Sequence, residues 1–374
     1  MGTEHIRLAQ EGSYEKCLDR AADVLAGGGI VAFPTETVYG VGVNAADAGA
    51  VARLRELKQR SADKPFTVHV GRRGDVERFV PSPSVIGRRL ASKGWPGPLT
   101  LIFNVPDVDR APVAGQIPAE QLGALYHQGT VGIRCPDNPP AQDLLTRVEA
   151  PVVAASANRA GQPPALTADD VLSELDGRID LVLDGGRTRY AQPSTIVRVE
   201  NEAYDIVREG VFDVRTLRRL ASLNLLFVCT GNTCRSPMAE AMCRSLMAER
   251  LSCKTDQIGE RGYTISSAGT FSVGGAPASS GARSALAALG LDGTPHYSQP
   301  LTVELIQSAD HIYTVCDHHR EAVLNMVPSA EARTRLLDAN GDIEDPIGGD
   351  DETYAQCAER IRTALRHRLS EVVP

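Results

Sequence analysis

The sequence has no long apolar run and no excess of positive charge. Its longest apolar stretches, such as residues 223–229, are far shorter than the ~20 residues that a membrane-spanning helix needs. The opening stretch MGTEHIRLAQ has no apolar segment of the kind that secretory signals carry, so we expect a cytoplasmic protein with no membrane partner. With 39 basic against 47 acidic residues, the formal net charge is −8, unlike that of a protein that coats DNA.

Two further absences narrow the chemistry. The eight cysteines form no Cys-x-x-Cys pair and no Cys/His cluster with zinc-finger spacing. We therefore expect neither a metal site nor a disulfide scaffold, and a cysteine with a special role should act as a thiolate. The sequence also has no G-x-x-x-x-G-K-[ST] motif, which excludes nucleotide binding by a Walker loop.

The chain is long enough for two folded domains. It has 374 residues, of which 42% are hydrophobic and 23% charged, as in globular proteins. Apolar strand-like runs alternate with helical stretches from residue 27 to about residue 210, which predicts a mixed α/β sheet domain. From residue 222 onward a regular βαβα order predicts a doubly wound parallel sheet. We place the domains at residues 1–212 and 222–374, joined by a helical linker at 213–221.

The first strand of the second domain runs directly into a loop with the sequence CTGNTCRSP at residues 229–237. A loop of this length before a helix can wrap its backbone N–H groups around a phosphate, and the helix N-terminus adds positive potential. Arg235 can bind two phosphate oxygens in its planar fork, and the Ser236 hydroxyl can hydrogen-bond the sulfur of Cys229. The pattern predicts nucleophilic attack by a thiolate on a phosphoryl group.

Five segments of the second half resemble the low-molecular-weight protein phosphatase family over residues 222–374. They are CTGNTCRSPMAE from residue 229, SAGT at 267–270, HYSQPLT at 296–302, SADHIY at 308–313 and DPIGG at 345–349. The resemblance implies Cys229 as nucleophile, Arg235 as phosphate-binding residue and Asp345 as the general acid, with no cofactor. The remaining loop residues would bind phosphate and set specificity: Thr230, Gly231, Asn232, Thr233, Cys234 and Ser236.

The loop departs from that of the tyrosine-specific members of this family. Those usually carry a bulky aliphatic residue where this chain has Thr233, and aromatic residues where it has Ile347 and Gly348. A small polar Thr233 suits a phosphoguanidinium group, and the loop resembles that of protein-arginine phosphatases. A protein-tyrosine phosphatase remains the alternative. A redox enzyme similar to arsenate reductases is a further alternative, because Cys234 and Cys316 are available as additional thiols.

Cations and hydroxyl groups also follow regular elements in the first half. Lys58 and Arg60 close a predicted helix, while Ser156 and Asn158 follow the apolar strand PVVAA at its carboxyl end. Each pattern by itself is typical of a solvated helix end or a turn. In the absence of a Walker loop, together they are candidates for holding a phosphate.

Six ordered segments around these residues resemble the YrdC/Sua5 family over about residues 10–212. They are GGIVAFPTETVYGVG, LKQRSADKPFTVHV, WPGPLTLIF, VGIRCPD, VVAASANRAGQPP and PSTIVRV with REG. The resemblance implies synthesis of L-threonylcarbamoyladenylate from L-threonine, bicarbonate and ATP, with Mg²⁺ accompanying the nucleotide. This reaction begins the t6A modification of tRNA, so the transferase proteins that complete it are expected partners, with tRNA a further candidate.

The same resemblance assigns residues by position. Contacts to ATP or the intermediate would come from Lys58, Arg60, Ser156, Asn158, Ser194 and Arg208. The threonine site would be lined by Thr35, His69 and Arg134. The expected protein is a bifunctional enzyme, a synthase joined to a cysteine-dependent phosphatase of phosphorylated proteins. The alternative for the first domain is a regulatory or RNA-binding module. The presence of Lys58, Arg60, Ser156 and Asn158 favours the enzyme over this alternative.

Overall fold

The computed structural model describes residues 2–8, 13–61, 64–159, 161–201, 203–291 and 295–372. The chain divides into two compact units, Met1–Ala221 and Ser222–Pro374. Each unit buries its own clusters of apolar side chains. Within the described ranges, no helix is long and apolar enough to cross a membrane.

One mixed sheet organises the first unit, with 11 strands in the part of the chain that the structure describes. They are β1 (Glu4–Arg7), β2 (Val31–Phe33), β3 (Gly40–Asn44), β4 (Thr67–His69), β5 (Leu99–Asn104), β6 (Tyr126–His127), β7 (Thr130–Arg134), β8 (Val152–Ser156), β9 (Leu181–Asp184), β10 (Thr195–Glu200) and β11 (Ala203–Arg208). Their order is β1-β9-β2-β3-β8-β4-β7-β5-β10-β11, and β6 pairs with β7. Strand β4 is parallel to β7 and antiparallel to β8. The predicted mixed α/β sheet is confirmed.

Short helices connect these strands. They are α1 (Tyr14–Ala26), α2 (Ala48–Leu57), α3 (Val85–Gly94), α4 (Leu122–Leu125), α5 (Pro139–Arg147), α6 (Ala168–Leu175) and α7 (Val214–Ala221), with 3₁₀ turns at Arg73–Arg78, Val108–Arg110, Pro112–Gly115 and Ala119–Gln121. Helix α2 starts at Asp47, whose carboxylate accepts a hydrogen bond from the Ala50 N–H. It ends at Lys58, and the next residue, Gln59, has a left-handed backbone with φ of 46°. This turn directs the chain after α2 back towards the sheet.

The segment predicted as a linker is part of the first unit. Residues Val214–Ala221 form α7, which packs on α3 and buries Leu217 completely. The Asp213 carboxylate accepts a hydrogen bond from the Thr216 N–H and so begins this helix. Leu217 and Ala221 belong to the same apolar cluster as Trp95 and Leu99.

The second unit contains a four-stranded parallel sheet in its described residues. The strands β12 (Leu223–Cys229), β13 (Tyr263–Gly269), β14 (His311–Thr314) and β15 (Thr334–Leu336) lie in the order β13-β12-β14-β15. The chain therefore passes from β12 to β13 on one side of it and then to β14 on the other side. Sheets of this kind bind ligands in the crevice at the carboxyl end of the strand where the direction reverses, which here is β12. Cys229 is the last residue of β12. The predicted doubly wound sheet is confirmed.

Helices cover both faces of this sheet. They are α8 (Arg235–Arg250), α9 (Ser280–Ala288), α10 (Val303–Ser308), α11 (Asp317–Met326) and α12 (Asp351–Val372), with 3₁₀ turns at Thr255–Gln257 and Pro328–Arg333. Helix α8 begins at Arg235, so the loop after β12 is closed by a helix N-terminus, as the sequence predicts. Met238 and Met242 are buried on its inner face.

Candidate active sites

A cavity of about 380 Å³ in the first unit brings together all the residues that the sequence assigns to it. We call it the polar cavity. Its lining includes Lys58, Arg60, Ser156, Asn158, Ser194, Arg208, Thr35, His69 and Arg134. A larger groove of about 1010 Å³ has Arg60, Thr67 and Thr100 in common with its lining. The polar cavity is the candidate site because four cationic side chains converge there.

Lys58 is held inside the cavity by the carboxyl end of β8. Its Nζ donates to the carbonyl of Ser156 at 2.8 Å and to Oδ1 of Asn158 at 3.2 Å, and it also contacts the Asn158 carbonyl. The Asn158 amide group in turn donates to the Gln162 carbonyl at 2.6 Å. Burial, with repulsion from Arg60 adding to it, lowers the pKa of Lys58 to about 8. The site therefore holds a partly desolvated ammonium that an anion would stabilise.

Two arginines add to the positive charge of the cavity. The Arg60 guanidinium lies 5.0 Å from the centre of the Phe66 ring, and burial lowers its pKa. Arg208 donates to the Ser194 carbonyl at 2.7 Å, and the Ser194 hydroxyl lies 3.0 Å from that of Thr100. A glycine is required at position 210, because a Cβ there would lie 2.3 Å from the Pro193 carbonyl oxygen. The close approach at Gly210 thereby keeps residues 208–210, at and just after the end of β11, near Ser194.

Arg134 organises the other end of the cavity. It donates to the Thr37 hydroxyl at 2.6 Å and lies 3.0 Å from the carboxylate of Glu36, and both charged side chains are almost fully buried. The Thr35 hydroxyl is within 2.8 Å of Thr37 Oγ1 and 3.4 Å of the Arg134 guanidinium. Arg134 is thus fixed by a buried ion pair and two hydroxyl groups.

His69 lies in this region as a neutral imidazole. Burial, with repulsion from Arg134 adding to it, lowers its pKa to about 3. The ring Nδ1 lies 3.1 Å from the Thr67 carbonyl, which can only accept, so Nδ1 carries the proton. The free Nε2 of His69 is therefore a hydrogen-bond acceptor for a ligand.

Three polar residues that position the cavity lining were not predicted from the sequence. Glu36 and Thr37 contact Arg134 from outside the lining, and Thr100, which lines the cavity, contacts Ser194. Glu36 and Thr37 lie in the quoted segment GGIVAFPTETVYGVG, where a carboxylate in a mostly apolar run is a signal that could have marked them. Thr100 has no such signal, because it is one hydroxyl within a β-branched and apolar strand.

The second unit places Cys229 at the base of the loop of residues 229–236, which we call the phosphate loop. Its Sγ lies 2.9 Å from the Ser236 hydroxyl and accepts the Asn232 N–H at 3.2 Å. These two groups are suited to donating to a thiolate, which is the nucleophilic form of cysteine. The thiol is buried, with 3% of the residue exposed.

Asn232 shapes the phosphate loop. It is completely buried and has a left-handed backbone with φ of 57°. Its side-chain amide donates to the hydroxyls of Ser236 at 2.9 Å and Ser267 at 2.8 Å, and its Oδ1 accepts the Gln299 N–H at 2.8 Å. His296 lies 2.8 Å from its carbonyl oxygen. These partners come from the segments SAGT and HYSQPLT, which explains why those segments accompany the loop.

Arg235 and Asp345 lie together at the mouth of the phosphate loop. The Arg235 guanidinium donates to the Ile343 carbonyl at 3.0 Å and forms a close ion pair with the Asp345 carboxylate. Arg235 is buried, whereas the Asp345 side chain is about one third exposed. The structure therefore brings the three predicted catalytic residues, Cys229, Arg235 and Asp345, to one crevice.

The predicted specificity residues line the entrance of this crevice. Thr233 is half-buried, and its carbonyl accepts the Ser279 N–H at 2.8 Å. Cys234 lies beneath the loop, with its Sγ 3.3 Å from the Ser279 hydroxyl and 3.4 Å from the Tyr354 hydroxyl. Ile347 is 70% exposed on the loop that carries Asp345. Sequence reasoning missed Tyr354, which is distant in sequence and lies within an otherwise amphipathic helix.

Comparison with known families agrees with the two folds. Residues 23–210 match the family model Sua5/YciO/YrdC, which is described as "Telomere recombination". This match covers half of the chain, which therefore belongs to the Sua5/YciO/YrdC family. Residues 224–373 match the family model "Low molecular weight phosphotyrosine protein phosphatase", so the second unit is a domain of that kind.

Curated relatives match the first half. The threonylcarbamoyl-AMP synthase of Pyrococcus abyssi is 34% identical over 200 residues, which cover 54% of this chain and 56% of that protein. The threonylcarbamoyl-AMP synthase of Chromohalobacter salexigens is 36% identical over 185 residues, covering 49% of this chain and 94% of that protein. The chain spans about half the length of the Pyrococcus abyssi and Bacillus subtilis relatives that it matches.

Two solved structures are among those similar to this chain. A Sua5 structure of P. abyssi in complex with L-threonine is 21% identical, covers 97% of this chain and 98% of its own, and has a TM-score of 0.51. This similarity is one of fold. The arginine phosphatase YwlE of Geobacillus stearothermophilus is 32% identical, covers 40% of this chain and 92% of its own, and has a TM-score of 0.35.

Proposed function

We propose that the first unit is an L-threonylcarbamoyladenylate synthase. The observation that carries the proposal is the polar cavity, in which Lys58, Arg60, Arg134 and Arg208 converge on one enclosed space. In the proposed reaction a carbamate formed from L-threonine and bicarbonate attacks the α-phosphate of ATP, and the bond to pyrophosphate breaks. Positive charge that is already in place stabilises the additional negative charge of the transition state.

The contacts within the cavity suggest how its residues share this work. Lys58 and Arg60 face the triphosphate, since both are partly desolvated cations whose charge an anion would stabilise. Arg134 and Thr35 suit the carboxylate and hydroxyl of threonine, and the free Nε2 of His69 can accept a hydrogen bond there. The described lining contains no carboxylate of the kind that binds Mg²⁺ directly. The ion would therefore be held by the phosphates of ATP and would share their charge with the cations.

The test is pyrophosphate release by the full-length protein. We expect release only when L-threonine, bicarbonate and ATP are all present, and an adenylate product that can be separated by chromatography. Omitting L-threonine is the matched control. Release that does not depend on threonine would contradict the synthase, and no release at all would favour a regulatory or RNA-binding module. A working synthase would supply the adenylate to the transferase proteins that complete the t6A modification of tRNA.

We propose that the second unit is a cysteine-dependent protein phosphatase. The observation that carries this proposal is Cys229 Sγ, held between the Ser236 hydroxyl and the Asn232 N–H at the N-terminus of α8. The thiolate forms a bond to phosphorus while the bond to the leaving group breaks, and Asp345 donates a proton to that group. Water then releases phosphate from the phosphocysteine, with Asp345 taking the proton back.

Arg235 links substrate binding to the placement of the general acid Asp345. In this structure it pairs with Asp345, but its planar fork also suits two oxygens of a phosphoryl group. A phosphorylated substrate would replace the carboxylate on Arg235 and leave Asp345 beside the leaving group. The exchange would bring the general acid into place only when substrate is bound.

The preferred substrate in this proposal is phosphoarginine. The hydroxyl of the half-buried Thr233 can hydrogen-bond a guanidinium, whereas Ile347 and Gly348 provide no aromatic wall for a tyrosine ring. Hydrolysis of phosphoarginine and phosphotyrosine peptides by the full-length protein tests this choice. We expect a higher kcat/KM for phosphoarginine, and the Cys229→Ser variant should hydrolyse neither. A higher kcat/KM for phosphotyrosine would leave a tyrosine phosphatase as the function of this unit.

A further inference from the structure

A Cys/His cluster lies beside the phosphate loop and takes no part in the chemistry described above. Cys316, His318 and His319 each offer one ligand atom, and these three atoms all lie within 4.8 Å of one another. The thiol Sγ is 2.7 Å from Nδ1 of His319 and 3.2 Å from Nδ1 of His318. No spacing rule for zinc fingers would detect ligands at positions i, i+2 and i+3, which is why the sequence predicts no metal site.

The fold places this cluster at the crevice of the sheet. Cys316 is the N-cap of α11, two residues beyond the end of β14, and β14 pairs in parallel with β12. Val315 N donates to the Val228 carbonyl at 3.1 Å, so Cys316 and Cys229 leave neighbouring strands at the same edge. The first turn of α11 then brings the two histidines back towards the sulfur.

The geometry points to a Zn²⁺ site, and we propose that Cys316, His318 and His319 bind this ion. One thiolate and two imidazoles form a ligand set that zinc accepts, with the fourth position left to water. Zinc–sulfur and zinc–nitrogen distances of ~2.3 and ~2.0 Å place tetrahedral S and N ligands about 3.5 Å apart. The observed separations of 2.7 and 3.2 Å require the ligands to open by less than about 1 Å. The larger opening, of about 0.8 Å, falls on the buried pair Cys316 and His319, whereas the exposed His318 ring needs to move by about 0.3 Å.

The surroundings of His319 resemble the outer shell of a metal site. This ring is completely buried, and its Nε2 lies 2.8 Å from the Thr230 hydroxyl, which holds Nδ1 towards the sulfur. Metal-binding histidines ordinarily use their second nitrogen in this way.

The charges around the cluster leave room for a cation. Arg235 acts on Cys316 but is neutralised by its ion pair with Asp345, and Asp342 adds a negative charge nearby. Zinc binding would release one proton to solvent as the Cys316 sulfur becomes a thiolate. Because Zn²⁺ brings two positive charges and displaces one proton, binding would add one positive charge, which the nearby Asp342 carboxylate would partly offset.

The experiment uses the full-length Cys229→Ser protein, so that the catalytic thiol cannot bind the metal. Titration calorimetry should show one equivalent of Zn²⁺ bound, and His318→Ala should weaken the binding at least tenfold. His318 is exposed, so this change should leave the fold intact, which circular dichroism can check. The matched control is His367→Ala, an exposed histidine of α12 outside the cluster, which should bind Zn²⁺ like its parent. Equal affinities for the two histidine variants, or no binding by the parent, would overturn the proposal.

Cobalt identifies the sulfur ligand. In the same Cys229→Ser protein, Co²⁺ should produce a thiolate-to-metal charge-transfer band that disappears in Cys316→Ser. Cys253→Ser, which removes a half-exposed cysteine of the same unit, should keep the band. Absence of the band in the parent, or its persistence in Cys316→Ser, would show that Cys316 does not bind the metal. Neither measurement uses phosphatase or synthase activity, so the outcome is independent of the proposed functions.

Discussion

Asn232 stabilises the phosphate loop through its backbone and its side chain together. At φ of 57° most residues are strained, and its amide group has three polar partners with complete burial. Asn232→Ala should therefore destabilise the second unit by about 2–4 kcal/mol. The same change should lower kcat/KM on an aryl phosphate, because the Asn232 N–H next to Cys229 loses its position.

Asn232→Gly separates the two contributions. Glycine adopts the left-handed backbone without strain but makes no side-chain hydrogen bonds. Thermal unfolding of the three proteins should place this variant between the wild type and Asn232→Ala. If both variants unfolded at the wild-type temperature, the hydrogen bonds of Asn232 would not hold the loop.

Lys58 should make nucleotide binding depend on pH. Its pKa of about 8 means that the ammonium loses its charge as the pH rises above this value. The KM for ATP should rise above pH 8, by up to about tenfold per pH unit. The folded state then binds fewer protons at Lys58 than the unfolded state does between pH 8 and the ordinary lysine value. The contribution of Lys58 to stability therefore increases with pH in that window.

Lys58→Arg is the control for this pH dependence. An arginine keeps its charge throughout the range, so the KM for ATP should be nearly constant from pH 7 to pH 9.5 even if it is higher overall. Steady-state pyrophosphate release at several pH values measures both proteins. A flat profile for the wild type would contradict the role of Lys58 as a charged ATP ligand.

Thr233 tests substrate selection at a single side chain. Thr233→Ile replaces a hydroxyl with a larger apolar group at the entrance of the phosphate loop. It should lower kcat/KM on phosphoarginine by one to two orders of magnitude, or about 1.4–2.8 kcal/mol of transition-state binding. Activity on an aryl phosphate should survive or rise. Equal losses on both substrates would mean that the change damages the loop rather than its selectivity.

At the scale of elements, α7 belongs to the stability of the first unit. Leu217 is fully buried in the cluster that contains Trp95 and Leu99, so Leu217→Ala should destabilise that unit by about 2–4 kcal/mol. Calorimetric unfolding of the full chain should show a lower transition temperature for the first unit and an unchanged transition temperature for the second. The exposed Arg215→Ala is the control on the same helix. An unchanged first transition in Leu217→Ala would mean that α7 acts only as a linker.

Local elements were predictable where the signal is contained in a few neighbouring residues. The Thr-x-x-Asp spacing at Thr167 and Asp170 is a local signal for the start of a helix, and Thr167 Oγ1 accepts the Asp170 N–H at 3.1 Å at the start of α6. The sequence also predicts a strand followed directly by a helix around the phosphate loop, because an apolar run ends at a cysteine and a proline follows at position 237.

Pairings between distant segments were not predictable in this way. The order of the first sheet sets β8 between β3 and β4, although the three are far apart in the chain. This order brings Ser156 to Lys58 across 98 positions of sequence. Burial of Glu36 against Arg134 is also a tertiary effect, because a lone acid gives no sign of its partner. Contacts of this kind depend on the packing of the whole unit.

At the scale of the whole molecule, two sheets present the groups proposed to bind phosphate in different ways. The first unit uses side-chain cations from several strands and one helix end, all directed into the polar cavity. The second unit uses one continuous loop, in which the Asn232 N–H and the Ser236 hydroxyl contact a single thiol and a helix begins at Arg235. The first arrangement suits an extended triphosphate, and the second suits a single phosphoryl group.

The two activities should be separable by single substitutions. Each apolar cluster of the described residues draws its members from one unit only, so we expect a local change in one core to leave the other core intact. Lys58→Ala should abolish adenylate formation and leave hydrolysis of an aryl phosphate unchanged. Cys229→Ser should abolish that hydrolysis and leave threonine-dependent pyrophosphate release unchanged. Both assays on both full-length variants measure this directly. A loss of half or more of the second activity in either variant would show that the units are coupled in function despite their separate cores.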